Sequence, residues 1–384
     1  MNMKKSFLNA FLCGCLVCGM FSYGRTVNSL SEESTLRNTL GKHFLIGAAL
    51  NNNHISGKDS TLSVLIGKQF NSIVAEGCMK IGSIHPEENR YDFEAADRLV
   101  EFGERNKQMI IGHTLIWHAA LAPWFCVDKD GNDVSPEVLK QRMKDHIYTV
   151  VGRYKGRVKG WDVVNEAFMD DGTYRNSPFY RILGKEFIPL AFQYAHEADP
   201  KAELYYNEFN VYLPAKRKAI LELVNDLRAR GLRIDAVGMQ GHLWPGNPTV
   251  ESVEKAILDL KQAGLKVMVT ELDLTALPAP KQDLGGEAWA DFPYDAAVDP
   301  YRNGLPEEVE RQWTNHLLDF FKLFLKHKDV ITRVTMWGVS DDASWRNGWP
   351  MKGRVDYPLL FGRDHQPKAI VDSLIYWGKI YDPK

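Results

Sequence analysis

The sequence lacks most of the features that would set it apart from ordinary globular proteins. Of its 384 residues only five are cysteine, and three of those, Cys13, Cys15 and Cys18, fall in the first two dozen positions. The other two, Cys78 and Cys126, are too few and too far apart for a disulfide framework or a zinc set. That leaves buried free thiols or a single bridge. Neither sign of charge dominates. The 47 Lys and Arg stand against 49 Asp and Glu, so the basic excess of a nucleic-acid binder is missing. Beyond the N-terminus no apolar run is long enough to span a bilayer. No low-complexity linker and no short repeat interrupts the chain. A glycine-rich phosphate turn is also missing: the first strand candidate runs into NNNHISGKDS, which counts against an open doubly wound sheet.

What remains is 45% hydrophobic and 25% charged, too apolar for a disordered chain. Ten Trp, fifteen Tyr and eighteen Phe supply a large core, or stacking surfaces for a ligand with flat apolar faces. At the N-terminus Lys4 and Lys5 precede a mostly apolar run, Phe7 to Phe21. This reads as an export signal over residues 1–24, cut near Gly24, which places the protein in the periplasm, at the cell surface or outside the cell. Leu12-Cys13-Gly14-Cys15 offers a lipoprotein processing site as the alternative, and only then would the chain be tied to a membrane.

Strand-like and helix-like segments alternate through the rest. Strand candidates are His43–Leu50, Phe70–Gly77, Gln108–Trp117, Val158–Ala167, Glu203–Asn210, Ala236–Leu243, Lys266–Asp273 and Arg333–Asp341. Between them, Glu94–Asn106, Ser135–Tyr154, Phe179–Glu197, Pro214–Arg230, Val250–Ala263 and Pro306–Lys328 carry apolar residues at helical spacing. Eight such repeats predict one α/β domain over residues 25–384, a (β/α)8 TIM barrel. In such barrels the chemistry sits at the C-terminal strand ends. Those ends read Glu76 with Lys80, His113 with Trp117 and His118, Asn165-Glu166, Asn207-Glu208-Phe209-Asn210, Gln240 with His242, Glu271 with Asp273, and Trp337.

Glu166 and Glu271 each close an apolar strand, WDVVNE and KVMVTE. Two carboxylates facing one cavity are what glycoside hydrolysis requires. One protonates the leaving oxygen, and the other attacks the sugar or activates water. Either glutamate alone is as easily a capping or ion-pair carboxylate. Together with amide, imidazole and indole neighbours they form a catalytic constellation.

The segments HTLIWH, WDVVNEA, YYNEFN, GMQGHL, VTELD, MWGVSDDASW and PLLFGRDHQPKAI follow one another as in glycoside hydrolase family 10, and from Gly41 to Tyr381 the chain resembles these retaining endo-β-1,4-xylanases. The resemblance implies Glu166 as acid/base and Glu271 as nucleophile. It implies Asn165 as a partner of the sugar 2-hydroxyl, His242 beside the nucleophile, and Asp273 as the carboxylate behind His242. It puts Glu76, Lys80, His113, Trp117, Phe209, Gln240, Trp337 and Trp345 at sugar-binding positions. The implied partner is xylan or a xylo-oligosaccharide, with no cofactor, metal, nucleic acid or obligate protein partner. An acid must carry a proton near neutral pH, so Glu166 is expected to titrate high.

The chain departs from the family pattern at Gly77 and Ala120, where Asn and Gln commonly stand, and at Phe209, which lacks a hydroxyl. Two other readings follow. One is a sugar-binding barrel, or a glycosidase with altered polysaccharide preference. The other is a metal hydrolase using His113, His118 and His242. The five-residue spacing of the first two puts them on opposite faces of a strand, against metal ligation.

Overall fold

The computed structural model describes residues 34–280 and 291–381. The expected export segment and residues 281–290 lie outside the described residues. Eight parallel strands are Leu45–Leu50, Ser72–Ala75, Met109–Trp117, Gly160–Asn165, Glu203–Glu208, Ala236–Met239, Lys266–Leu274 and Ile331–Met336. Each pairs with the next, and the eighth returns to the first, with Leu45 opposite Arg333 and Ala48 opposite Met336. The sheet is therefore a closed barrel, as the alternation of segments predicts. His242–Leu243 forms a further two-residue strand beside Asp273–Leu274.

Two apolar layers hold it together. Outward residues such as Ile46, Ile73, Ile110, Val163 and Val237 join the helices in one continuous core. A smaller cluster takes Ala49, Val74, Ile111, Tyr205, Ala236 and Met268 from six different strands, together with Trp337. Contact between side chains of so many strands is possible only inside the barrel. Packing is tight enough that Gly112, opposite Trp161 on the neighbouring strand, could not carry a Cβ. That atom would lie 2.0 Å from the indole.

The helices follow the expected segments, with caps that the sequence supplies. Ser135 accepts from Val138 N ahead of Pro136–Arg153, and Thr249 accepts from Ser252 N ahead of Val250–Gln262. One expectation fails. Phe179–Glu197 is not one helix but Pro178–Leu183 and Phe187–Ala198. The break falls at Gly184, whose φ of 56° leaves the helical region. The second, fourth, fifth, sixth and eighth strands also stop short of their expected C-terminal ends. There, side-chain hydrogen bonds replace the ladder. Cys78 and Cys126 are both buried and free, and burial pushes each thiol up to about 12.

Candidate active site

The fourth strand ends at Asn165, and Glu166 turns away with φ 58°. A non-glycine residue in the left-handed region is uncommon and marks a functional constraint. The turn aims the Glu166 carboxylate into a set of donors from three strands. Trp117 Nε1 donates to Oε2 at 2.9 Å, Gln240 Nε2 to Oε1 at 2.8 Å, and Asn165 Nδ2 to Oε1 at 3.1 Å. The carboxyl is buried. Burial works to raise its pKa, but His118 and the Gln240 and Trp117 hydrogen bonds outweigh it, and Glu166 titrates below the usual glutamate value. The expectation of a raised value is corrected here. Donors that stabilise the anion overcome desolvation.

Glu271, at the end of the seventh strand, is equally buried but differently held. Asn207 Nδ2 donates to its Oε1 at 2.8 Å, and His242 Nε2 lies 3.2 Å from Oε2. The other side of the His242 ring is 3.1 Å from Asp273. Burial works to lower the imidazole's pKa, yet the Asp273 and Glu271 carboxylates lift it to about 9. His242 is thus a cation between two anions near neutral pH. Asp273 accepts from Trp345 Nε1 at 2.7 Å and from Arg346 Nε at 2.8 Å. Against the cost of burial, Arg346 and then His242 hold it down to about 2.

The two glutamates share one polar network. Asn207 Nδ2 also donates to Asn165 Oδ1 at 2.9 Å, so a single amide links the strand-four and strand-seven ends. The remaining expected residues border it. Lys80 Nζ lies 4.6 Å from the Trp117 ring centre and 6.0 Å from that of Trp337. Burial lowers the Lys80 pKa, while Glu271, Glu76 and Glu166 oppose that effect. Burial also raises the Glu76 pKa, against Lys80. His113 packs edge-on to Trp337, and its Nδ1 is 2.9 Å from Asp162. The Trp345 ring stands 4.9 Å from that of His242. Phe209 lies half-buried beyond the fifth strand with Lys216 Nζ over its face.

The structure therefore brings together the expected residues apart from Phe209, whose ring packs against Lys216 and Arg175. It adds several that sequence reasoning left out of the set. Asn207 bridges the two glutamates, Asp162 holds His113, and Arg346 holds Asp273. Asn207 stood at a strand end, and its polar neighbours in YYNEFN were the available signal. The argument that His113 and His118 face opposite ways does not hold. The third strand shifts register between His113 and Ile116, and His118 lies past its end, close enough to Glu166 to lower that group's pKa. Among the described residues no three or more His, Cys, Asp or Glu side chains are grouped to hold a metal ion.

A closed parallel barrel with two buried glutamates on one hydrogen-bonded network is the architecture of a barrel glycosidase. The family model for glycosyl hydrolase family 10 matches residues 35–376, and the chain belongs to that family. It is 47% identical over 351 residues to endo-1,4-beta-xylanase A of Xylanibacter ruminicola, covering 91% of this chain and 94% of that one. It is 38% identical over 340 residues to an endo-1,4-beta-xylanase of Geobacillus stearothermophilus, covering 88% and 97%. Among solved structures it is similar to a GH10 endoxylanase from a sugarcane soil metagenome. That match has a TM-score of 0.85 and 41% identity, over 89% of this chain and 99% of that one.

Proposed function

We propose that the chain hydrolyses internal β-1,4-xylosidic bonds of xylan and xylo-oligosaccharides with retention of configuration, Glu271 acting as nucleophile and Glu166 as acid/base. The observation that carries this reading is the opposed support of two buried carboxylates within one family 10 barrel. Glu271 receives a charged donor, His242, which suits a group that must attack as an anion. Glu166 receives three neutral donors, from Trp117, Gln240 and Asn165.

In the first half-reaction Glu166 gives a proton to the departing oxygen while Glu271 attacks the anomeric carbon. Sugar filling the cleft displaces water and strengthens the repulsion between the two glutamates, which favours protonation of Glu166. Once the glycosyl ester forms, Glu271 is neutral. The donors from Trp117, Gln240 and Asn165 then stabilise Glu166 as the base that activates water. Asn165 stands beside the acid/base, placed to meet a sugar hydroxyl. Trp337 and Trp345 offer faces for sugar rings, with Lys80, His113 and Glu76 at the edge.

Residues 1–24 are proposed to direct export. The basic start and short apolar run support this reading, and among the described residues no helix is long and apolar enough to cross a membrane. Mass measurement of the mature N-terminus in cell fractions tests it, and a retained Met1 would overturn it. The reaction is tested by proton NMR on xylohexaose. The first products are expected to be shorter oligosaccharides with β-anomeric reducing ends, formed equally well after exhaustive chelation. An α-anomer, or xylose alone, would overturn the assignment.

A further inference from the structure

The backbone after Glu166 is fastened by side chains that the reaction itself does not use. Glu166 N donates to Asn207 O at 3.0 Å. Ala167 N donates to the Tyr206 hydroxyl at 3.0 Å, and Phe168 N donates to Glu208 Oε2 at 3.2 Å. The Tyr206 hydroxyl in turn donates to the same Glu208 oxygen at 2.7 Å. Three consecutive amides of the strained turn thus end on one strand, two of them on Glu208 directly or through Tyr206. The other Glu208 oxygen accepts from Phe209 N and from Lys216 Nζ, each at 3.2 Å. Glu208, Tyr206 and Lys216 are fully buried. Lys216 also lies 2.9 Å from Asp170, in the loop that follows Glu166, and 3.5 Å from the Phe209 ring centre.

We propose that Glu208 is a positioning residue for the acid/base: with Lys216 it holds the Glu166 turn in its left-handed conformation and balances the charge behind that carboxylate. The inference rests on Glu166 being the acid/base. A left-handed residue that is not glycine persists only where its surroundings over-determine it, and here the Glu208 oxygens do so. Charge is the second link. The charged and titratable groups facing Glu208 are Lys216 from the following helix, Glu166 from the fourth strand and Tyr206 from its own strand, with Asp170 behind Lys216. Burial raises Glu208 to about 7, Lys216 opposes this and Glu166 adds to it. An anion at Glu208 makes Glu166 a better proton holder, and a cation at Lys216 makes it a worse one.

The test uses two substrates and four variants of the full-length enzyme. Xylotetraose needs the proton from Glu166, whereas 2,4-dinitrophenyl xylobioside has a leaving group that needs none. For Glu208→Gln, kcat/KM on xylotetraose is expected to fall tenfold or more, with less than a threefold change on the dinitrophenyl substrate. Removing its negative charge should move the basic limb of the xylotetraose profile to lower pH, by about half a unit. Lys216→Met removes the cation that opposes burial at Glu208, so Glu208 takes up a proton, both charges vanish together, and the limb should stay close to its wild-type place. Glu208→Asp keeps the charge and should leave the limb in place while lowering the rate. Equal losses on both substrates, or a limb that shifts for Lys216→Met as it does for Glu208→Gln, would overturn the proposal. Glu166→Ala assayed in parallel separates the two readings. If it shows the leaving-group split and the Glu208 variants do not, only the positioning role fails. If Glu166→Ala loses both substrates equally, the acid/base assignment itself fails.

Discussion

The reaction centre and the two positions expected at the glycone rim, Gly77 and Ala120, are built to different standards. At the centre, Gln240 and Asn165 bond Glu166, and Asn207 bonds both Asn165 and Glu271, so the five form one connected chain that His242, Asp273, Trp345 and Arg346 continue. At the expected rim, Gly77 follows Glu76 and a Cβ there would have no atom within 4 Å, while Ala120, whose carbonyl accepts from Gly82 N, offers only a methyl at a φ of 52°. Catalysis depends on placing reacting groups within fractions of an ångström, so a lost contact at the centre is amplified. Binding away from the broken bond is spread over many weak contacts, so one position can lose its side chain and leave the reaction intact.

The contrast breaks most sharply if the centre is tolerant. Glu271→Ala is expected to lower kcat by at least about 10⁴-fold. Azide should restore turnover of an aryl xylobioside and give the α-glycosyl azide. A β-azide from that variant would remove Glu271 from the nucleophile's role. Glu166→Ala should cost about 10²–10⁴-fold on unactivated substrate, and its azide product should be β. A smaller effect is thermodynamic. The His242 pKa is raised from 6.5 to about 9, so its stabilising contribution is complete below about pH 6.5 and is lost as the pH rises through about 9. The shift corresponds to about 3 kcal/mol, because each unit is about 1.4 kcal/mol. Denaturant unfolding at pH 6 and pH 9.5 should show a loss of that order in the wild type and not in His242→Gln. The same loss in both would mean that the imidazole is not the group that titrates.

Much of this was legible in the sequence, for definite reasons. Apolar strands and helical periodicity arise from burial, and burial follows position along the chain, so the barrel could be read. The acids at strand ends could be read because a barrel leaves its C-terminal ends open to one cavity. The direction of the Glu166 shift could not. Spacing reveals a second carboxylate that would raise the pKa, but the opposing donors come from Trp117 and Gln240, and their aim depends on a left-handed turn. Arg346 and Lys216 were hidden for a related reason. A cation in the sequence reads as surface until a buried anion, Asp273 or Glu208, is seen to face it. The break at Gly184 and the register shift after His113 are local departures from a period, and periodicity arguments pass over both.

The last prediction concerns the rim. If the space beside Glu76 and Lys80 admits a substituent on the glycone sugar, arabinoxylan should be cut at a rate close to that of plain xylan. Gly77→Asn and Ala120→Gln restore side chains where the family pattern commonly has them. Neither change asks for a new backbone conformation, since a Cβ at Gly77 meets no atom within 4 Å and Ala120 already carries one at its positive φ. Each new hydrogen bond to a neutral sugar hydroxyl should contribute about 0.5–1.5 kcal/mol. The pair should therefore raise kcat/KM on plain xylo-oligosaccharides by roughly one to two orders of magnitude. The gain should lie in KM, because these positions are remote from the bond being broken. Branched substrate should lose in the same variant, because both side chains occupy the space that a branch would need. Equal improvement on both substrates would show that the rim was merely weakened. No change on either would show that neighbouring groups already make the missing contacts, and the difference between centre and rim would then be one of which residues bind, not of how strongly.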